Sequence, residues 1–275
     1  MHYEKSTWRL IEHPPALGAW NMAVDEAILE SVFNHESPPT LRLYAWEPAC
    51  LSLGHAQRVS EANLKVLKQK GWQLVRRPTG GRAILHVDEL TYAVIAHQSE
   101  PRVRGGVLES YLRLSKALLE ALKTLGLSPK ANETTSNQKP PTPNPVCFEV
   151  PSNYEITVNG KKLIGSAQAR RKEGILQHGT LPLYGDLTRI ITALNFSDPT
   201  AQADAKTRLL DHATTVEREL GHAPDWKQAS RAFQDAFRQV LNLDLQAGQL
   251  TEKETRRAEQ LVLEKYDHPS WMNRI

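Results

Sequence analysis

Cys147 and the pair Lys161-Lys162 are the residues of this chain whose types and surroundings best support covalent chemistry. Cys147 opens the stretch "CFEVPSNYEI", directly behind the polar, proline-rich segment 129–146, "PKANETTSNQKPPTPNPV", which reads as a mobile loop. A thiol where a mobile loop meets a sheet is within reach of substrate. Its thiolate is an effective nucleophile toward a thioester once a nearby cation lowers its pKa. Lys161 and Lys162 follow Asn159-Gly160, the strongest short-range hairpin signal. In a two-residue hairpin Lys161 faces Val158, and Lys162 points to the other face with Thr157, Glu155 and Ile164. An ammonium there can hold an acyl carbonyl or stabilise a thiolate. Plainer alternatives stay open: a buried structural cysteine and a solvated lysine beside a turn. Cys50, inside apolar "ACLSLG", reads as core.

A second stretch, "RRPTGGRAILH" at 76–86, sets Arg76 and Arg77 close to Gly80 and Gly81 between two apolar, strand-like runs. Glycine lets a ligand approach the backbone, and such a loop can offer N–H groups to a carboxylate, phosphate or thioester carbonyl. The alternative is a tight hairpin with solvated arginines. Gly165 interrupts an apolar strand, which suggests a bulge or close ligand approach. His86 and His178 read as packed or hydrogen-bonded. No His/Cys grouping has metal-ligand spacing, and neither GxxxxGK[ST] nor GxGxxG occurs.

The elements that must position these residues read as follows. "STWRLIEH", "TLRLYAW", "ACLSLG", "WQLVR", "AILHVDELTYAVIAH", "YEITV", "KKLIGSAQAR" and "GILQHGTLPL" are strands. "GAWNMAVDEAILESVF" is a helix with an apolar stripe through Met22, Ala23, Ala27, Ile28 and Val32. "SEANLKVLKQKG" is a short helix capped by Ser60 and closed by Gly71, and "GVLESYLRLSKALLEALKTLG" is a long amphipathic one. From about Asp186 the pattern turns helical. The expectation is an α+β protein with a mixed or antiparallel sheet core and packed helices: a catalytic domain over 1–185, and a helical C-terminal extension over 186–275 packed on the same unit. Of 275 residues, 40% are hydrophobic, and 34 basic against 31 acidic residues leave a formal charge of +3, so nucleic acid is not an expected partner, and no apolar run approaches the length of a membrane span, so neither is a membrane. Two cysteines make no disulfide framework, and the first residues lack the apolar core of a signal peptide. The expected location is the cytoplasm.

The order of "NMAVDEA", "WEPACLSLGHAQ", "RRPTGGRAILH", "NGKKLIGSAQARR" and "HGTLPL" resembles the biotin/lipoate protein ligase catalytic fold, and within it the lipoate-protein ligase A branch. "VCFEVPSNYEI" makes the resemblance closest to the cysteine-dependent octanoyltransferases of that branch. It implies that Cys147 accepts the acyl group and that Lys162, immediately before "LIG", is the active-site lysine. It implies that Arg77, Thr79, Gly80, Gly81, Arg82, His86, Gly165, Ser166, His178 and Gly179 line the acyl and donor site. The implied donor is octanoyl-acyl-carrier protein. The implied acceptor is a lipoyl-domain protein such as the glycine-cleavage H protein or a dehydrogenase E2, and no cofactor or metal is needed. The alternatives are an ATP-dependent lipoate-protein ligase, an amidotransferase between lipoyl domains, and a non-catalytic binder of the same fold. Ligases of this branch show a third glycine after the pair and a His-Asp pair at the motif's end. Here Arg82 and His86-Val87 stand instead, which points away from adenylation.

Overall fold

Residues 3–133 and 154–275 are described in a computed structural model of the chain. Alternating and continuous apolar runs fold into β1 (Ser6–Glu12), β2 (Thr40–Tyr44), β3 (Cys50–Leu53), β4 (Gln73–Arg76), β5 (Ile84–His86), β6 (Glu89–His97), β7 (Pro129–Glu133), β8 (Tyr154–Val158), β9 (Lys161–Arg171), β10 (Gly174–Pro182) and β11 (Leu243–Ala247). Among the described residues these form two sheets. The larger has the order β11-β1-β2-β6-β10-β9-β8-β7, and the smaller the order β4-β3-β5. β1 runs parallel to β11 and β2, and the remaining pairs of the large sheet are antiparallel.

The helices cover both faces of the large sheet and take apolar surface out of water, α3 (Val107–Thr124), α7 (Trp226–Leu241) and α8 (Glu252–Leu261) through one apolar stripe each. α3 and α7 pack against one face over a core that includes Leu118, Leu122, Phe233 and Phe237. α1 (Gly18–Phe33) lies on the other face under α8, around Met22, Ile28, Ile95 and Leu261. Sandwiched between sheet and helix, α1 buries more than its apolar stripe, taking Asn21, Asp25 and Glu26 inside as well. The small sheet packs with α2 (Leu64–Lys70), α4 (Arg189–Thr192) and α5 (Pro199–His212) around a third cluster that includes Leu51, Leu67 and Leu209. α6 (Val216–Leu220) and α9 (Pro269–Met272) are short.

Several expectations change. The run "AILHVDELTYAVIAH" divides into β5 and β6, which belong to different sheets. The cap of α2 is Asn63, whose side chain accepts from the Val66 N–H at 3.1 Å, because Val59–Glu61 with Ser60 is drawn into its own 3-10 turn. Pro129–Glu133, expected in a loop, is a strand paired with β8. The rest of that loop and Cys147 lie outside the described residues. The part beyond Asp186 holds a strand, β11, that extends the large sheet at β1. The Asn159-Gly160 hairpin forms as expected, with positive φ at both residues and with Val158 opposite Lys161 and Thr157 opposite Lys162.

Candidate active site

A cavity of about 430 Å³ lies between the two sheets, with walls that are mostly apolar. Its floor is one row across the large sheet. Tyr44 on β2 pairs with Thr91 on β6, Thr91 with Thr180 on β10, and Thr180 with Gly165 on β9. Met22 of α1 and Trp46 add apolar wall, while β3 and β5 contribute Ser52, Ile84 and His86 from the small sheet.

The Arg76–Arg82 connection forms the rim. It is not a tight hairpin, because β3 lies between β4 and β5 and pairs with both. Nor are Arg76 and Arg77 solvated. Arg77 is buried and ties the loop to β3, donating to the carbonyls of Ser52 (3.0 Å), Gly80 (2.8 Å) and Arg82 (2.8 Å). Arg76 is buried too and donates to the carbonyls of Gly54, Gln57 and Met272. The loop passes so close to the end of β3 that a Cβ on Gly54 would stand 1.9 Å from the Gly81 carbonyl oxygen. Gly81 has φ +94°, a conformation that suits glycine. Gly80 has open space where a side chain would stand, and with Gly81 and Arg82 it lines the cavity. Arg82 is partly exposed at the rim, 4.0 Å from Glu61.

Two hydrogen-bonded chains hold the walls. In the first, Ser52 Oγ meets His86 Nε2 at 2.8 Å and His86 Nδ1 meets Glu89 Oε1 at 2.5 Å. Thr91 donates to the same Glu89 oxygen at 2.6 Å and accepts from Trp46 Nε1 at 2.8 Å. The His86 ring stacks on Trp46 with centroids 4.0 Å apart. In the second, Thr79 Oγ1 meets His178 Nε2 at 2.6 Å and His178 Nδ1 faces Asp25 Oδ2 at 3.4 Å. Asp25 is fully buried, ion-paired with Arg42 at 2.7 Å and hydrogen-bonded by Tyr44 at 2.9 Å. Burial pushes the Asp25 carboxyl up, but Arg42 and His178 outweigh it and hold the carboxyl below its usual range. Burial also lowers the His178 pKa, against the pull of Asp25. A neutral ring that accepts from Thr79 at Nε2 and donates from Nδ1 to Asp25 fits this pairing.

Lys162 is buried on the cavity wall, its Nζ 2.8 Å from Glu155 Oε1. Lys161 points away, and instead of being solvated it donates to the Leu210 carbonyl at 2.7 Å. Gly165, Ser166, His178 and Gly179 join Lys162 around the cavity. Gly179 permits a close crossing, since a Cβ there would meet the Gly165 carbonyl oxygen at 2.5 Å. Thr79 does not line the cavity; its hydroxyl touches the cavity-lining His178. Cys50 is fully buried, and burial pushes its thiol far above the ordinary value. Among the described residues, no cluster of three His, Cys, Asp or Glu side chains could hold a metal ion, and no helix is long and apolar enough to cross a membrane.

Sequence reasoning passed over Asp25, Trp46, Ser52, Gln57 and Thr180. Two signals were available: a serine inside the apolar strand "CLSL", and a threonine two residues beyond His178, hence on the same face of its strand.

An apolar cavity with glycines at its rim and a buried lysine on its wall can take an acyl chain and hold its carbonyl. The chain belongs to the lipoyl protein ligase A/B catalytic domain family, which matches residues 18–238. It is 37% identical to the octanoyltransferase LipM of Carboxydothermus hydrogenoformans, over 98% of this chain and 99% of that protein. It is 38% identical to the LipM of Kyrpidia tusciae, over 96% and 98%. Its fold is similar to that of a bipartite lipoate protein ligase from Thermoplasma acidophilum (TM-score 0.80, 23% identity, 99% of this chain and 98% of that one). It is also similar to a lipoate-protein ligase A solved with ATP (TM-score 0.79, 24% identity, 97% and 98%).

Proposed function

We propose that this chain is an octanoyltransferase of lipoate synthesis, moving an octanoyl group from octanoyl-acyl-carrier protein to a lysine of a lipoyl domain through a thioester on Cys147. The supporting observation is the full-length likeness to octanoyltransferases in a chain whose apolar cavity carries the ion-paired Lys162 on its wall. The Cys147 thiol gives up its proton and its sulfur attacks the donor thioester carbonyl, the donor carbonyl–sulfur bond breaks, and the departing carrier thiolate takes up a proton. The acceptor ε-amine then attacks the new thioester, an amide forms, and the Cys147 sulfur leaves and recovers a proton. Each step exchanges one acyl bond for another, so neither nucleotide nor metal is consumed. Lys162 faces the carbonyl oxygen and stabilises the charge that develops on it in the transition state. The acyl chain fills the apolar cavity, at roughly 0.8 kcal/mol per buried CH₂. Arg77, Thr79, Gly80, Gly81 and Arg82 shape the entrance, while His86, Gly165, Ser166, His178 and Gly179 complete its walls. The acceptor is a glycine-cleavage H protein or a dehydrogenase E2 domain, and the enzyme works in the cytoplasm.

The likeness in fold to an ATP-bound ligase favours a second reading, ATP-dependent ligation of free lipoate or octanoate. Mass spectrometry separates the two. After incubation with octanoyl-acyl-carrier protein and no ATP, the protein should gain one octanoyl group, Cys147→Ala should gain none, and Cys50→Ala should behave as the parent. Lipoyl-domain modification that requires ATP and free acid, and survives Cys147→Ala, would establish the ligase instead.

A further inference from the structure

The cavity floor contains one hydroxyl whose partner is not supplied by the described residues. Thr180 is 2% exposed, and its Oγ1 is buried without a hydrogen bond. The other hydroxyls of the lining are engaged. Thr91 is bonded to Glu89 and Trp46, Tyr44 to Asp25, Ser52 to His86, and Ser166 to Tyr92. A buried hydroxyl is costly unless something accepts or donates to it. Thr180 sits on the cavity floor opposite Gly165, which offers it no side chain.

From this we infer that the Thr180 hydroxyl is a catalytic hydrogen-bond donor that binds the carbonyl oxygen of the acyl substrate. The inference rests on the acyl-transfer reading and adds a residue to it. An acyl chain in this cavity has a single polar group, its carbonyl, and that oxygen only accepts hydrogen bonds. The carbonyl is therefore the one part of the acyl group that can satisfy Thr180, and Thr180 must be the donor. The bond strengthens as the oxygen gains negative charge during attack, so it favours the transition state over the bound substrate. Lys162 lies on the same strand as Gly165 and lines the same cavity, so an ammonium and a hydroxyl would share the oxygen.

The test is single-turnover formation of the octanoyl-enzyme from octanoyl-acyl-carrier protein, followed by mass, with thermal unfolding of each protein alongside. Thr180→Val keeps the shape and removes the donor. It should slow acylation about a hundredfold while leaving the unfolding temperature equal or higher, since an unpaired buried hydroxyl is gone. Thr180→Ser should stay within about threefold of the parent, because the donor remains. Should the valine protein fail to fold, Thr180→Ala carries the same expectation for rate. Acylation by the donor-less variant within about twofold of the parent, or equal slowing by Val and Ser, would overturn the assignment. A parent protein that takes up no octanoyl group would instead bring down the acyl-transfer reading on which it rests.

Discussion

Lys161 and Lys162 are adjacent in sequence and opposite in fate, because successive residues of a strand point to opposite faces. Lys162 is buried in the cavity wall beside Glu155, while Lys161 reaches the last turn of α5 and donates to the Leu210 carbonyl. Lys162→Ala should slow acylation of Cys147 about a hundredfold, the usual order for losing a charged donor to a developing oxyanion. Lys161→Ala should leave that rate unchanged and lower stability by about 1 kcal/mol, the worth of one hydrogen bond. Single-turnover acylation and urea unfolding of both variants check this. Equal acylation rates would remove Lys162 from the chemistry.

At the scale of elements, Arg76 joins parts that are far apart in the chain. From the end of β4 it donates to the carbonyls of Gly54 and Gln57 beside the cavity and of Trp271 and Met272 in α9, and Trp271 Nε1 donates back to the Arg76 carbonyl. A neutral, shorter donor set cannot replace this fork. Arg76→Met should leave several buried carbonyls without partners and cost about 3 kcal/mol in urea unfolding. Amide exchange over residues 269–275 should rise with it, because the segment loses its anchor. A variant with parent-like stability and exchange would show that α9 docks by apolar contact alone.

Across the whole molecule, the half-buried His13 and the buried His178 couple stability to pH. Burial and the adjacent Arg42 lower His13 from its ordinary 6.5 to about 4, and burial lowers His178 as well. The unfolded chain therefore binds these protons at a higher pH than the folded one. The stabilising contribution is complete above about 6.5 and is lost as pH falls toward about 4. His13 Nδ1 accepts from Arg42 Nε at 2.9 Å, so protonation there removes an acceptor and sets a cation against a cation. Urea unfolding should show stability falling with pH across this window, and His13→Gln should flatten part of the slope. A slope unchanged by the substitution would assign the loss to other groups.

Local patterns were enough for the sequence alone to determine most strands, the long helices, the Asn159-Gly160 hairpin and the opposite faces of its two lysines. Alternation, capping and turn chemistry act over a few residues and leave their mark there. The order of the motifs also carried the family, and with it the expectation that Lys162, Gly80 and Gly81 line one cavity. Tertiary structure alone decided what depends on partners distant in the chain. It made Arg76 and Arg77 buried braces and ruled out the solvated arginines of the hairpin alternative, because carbonyls that hold them come from β3, the 54–57 loop and α9. It split one apolar run between β5 and β6, since a two-residue step let the halves join different sheets. It also set Thr180, Thr91 and Tyr44 in one row, through strand pairings that no local spacing encodes.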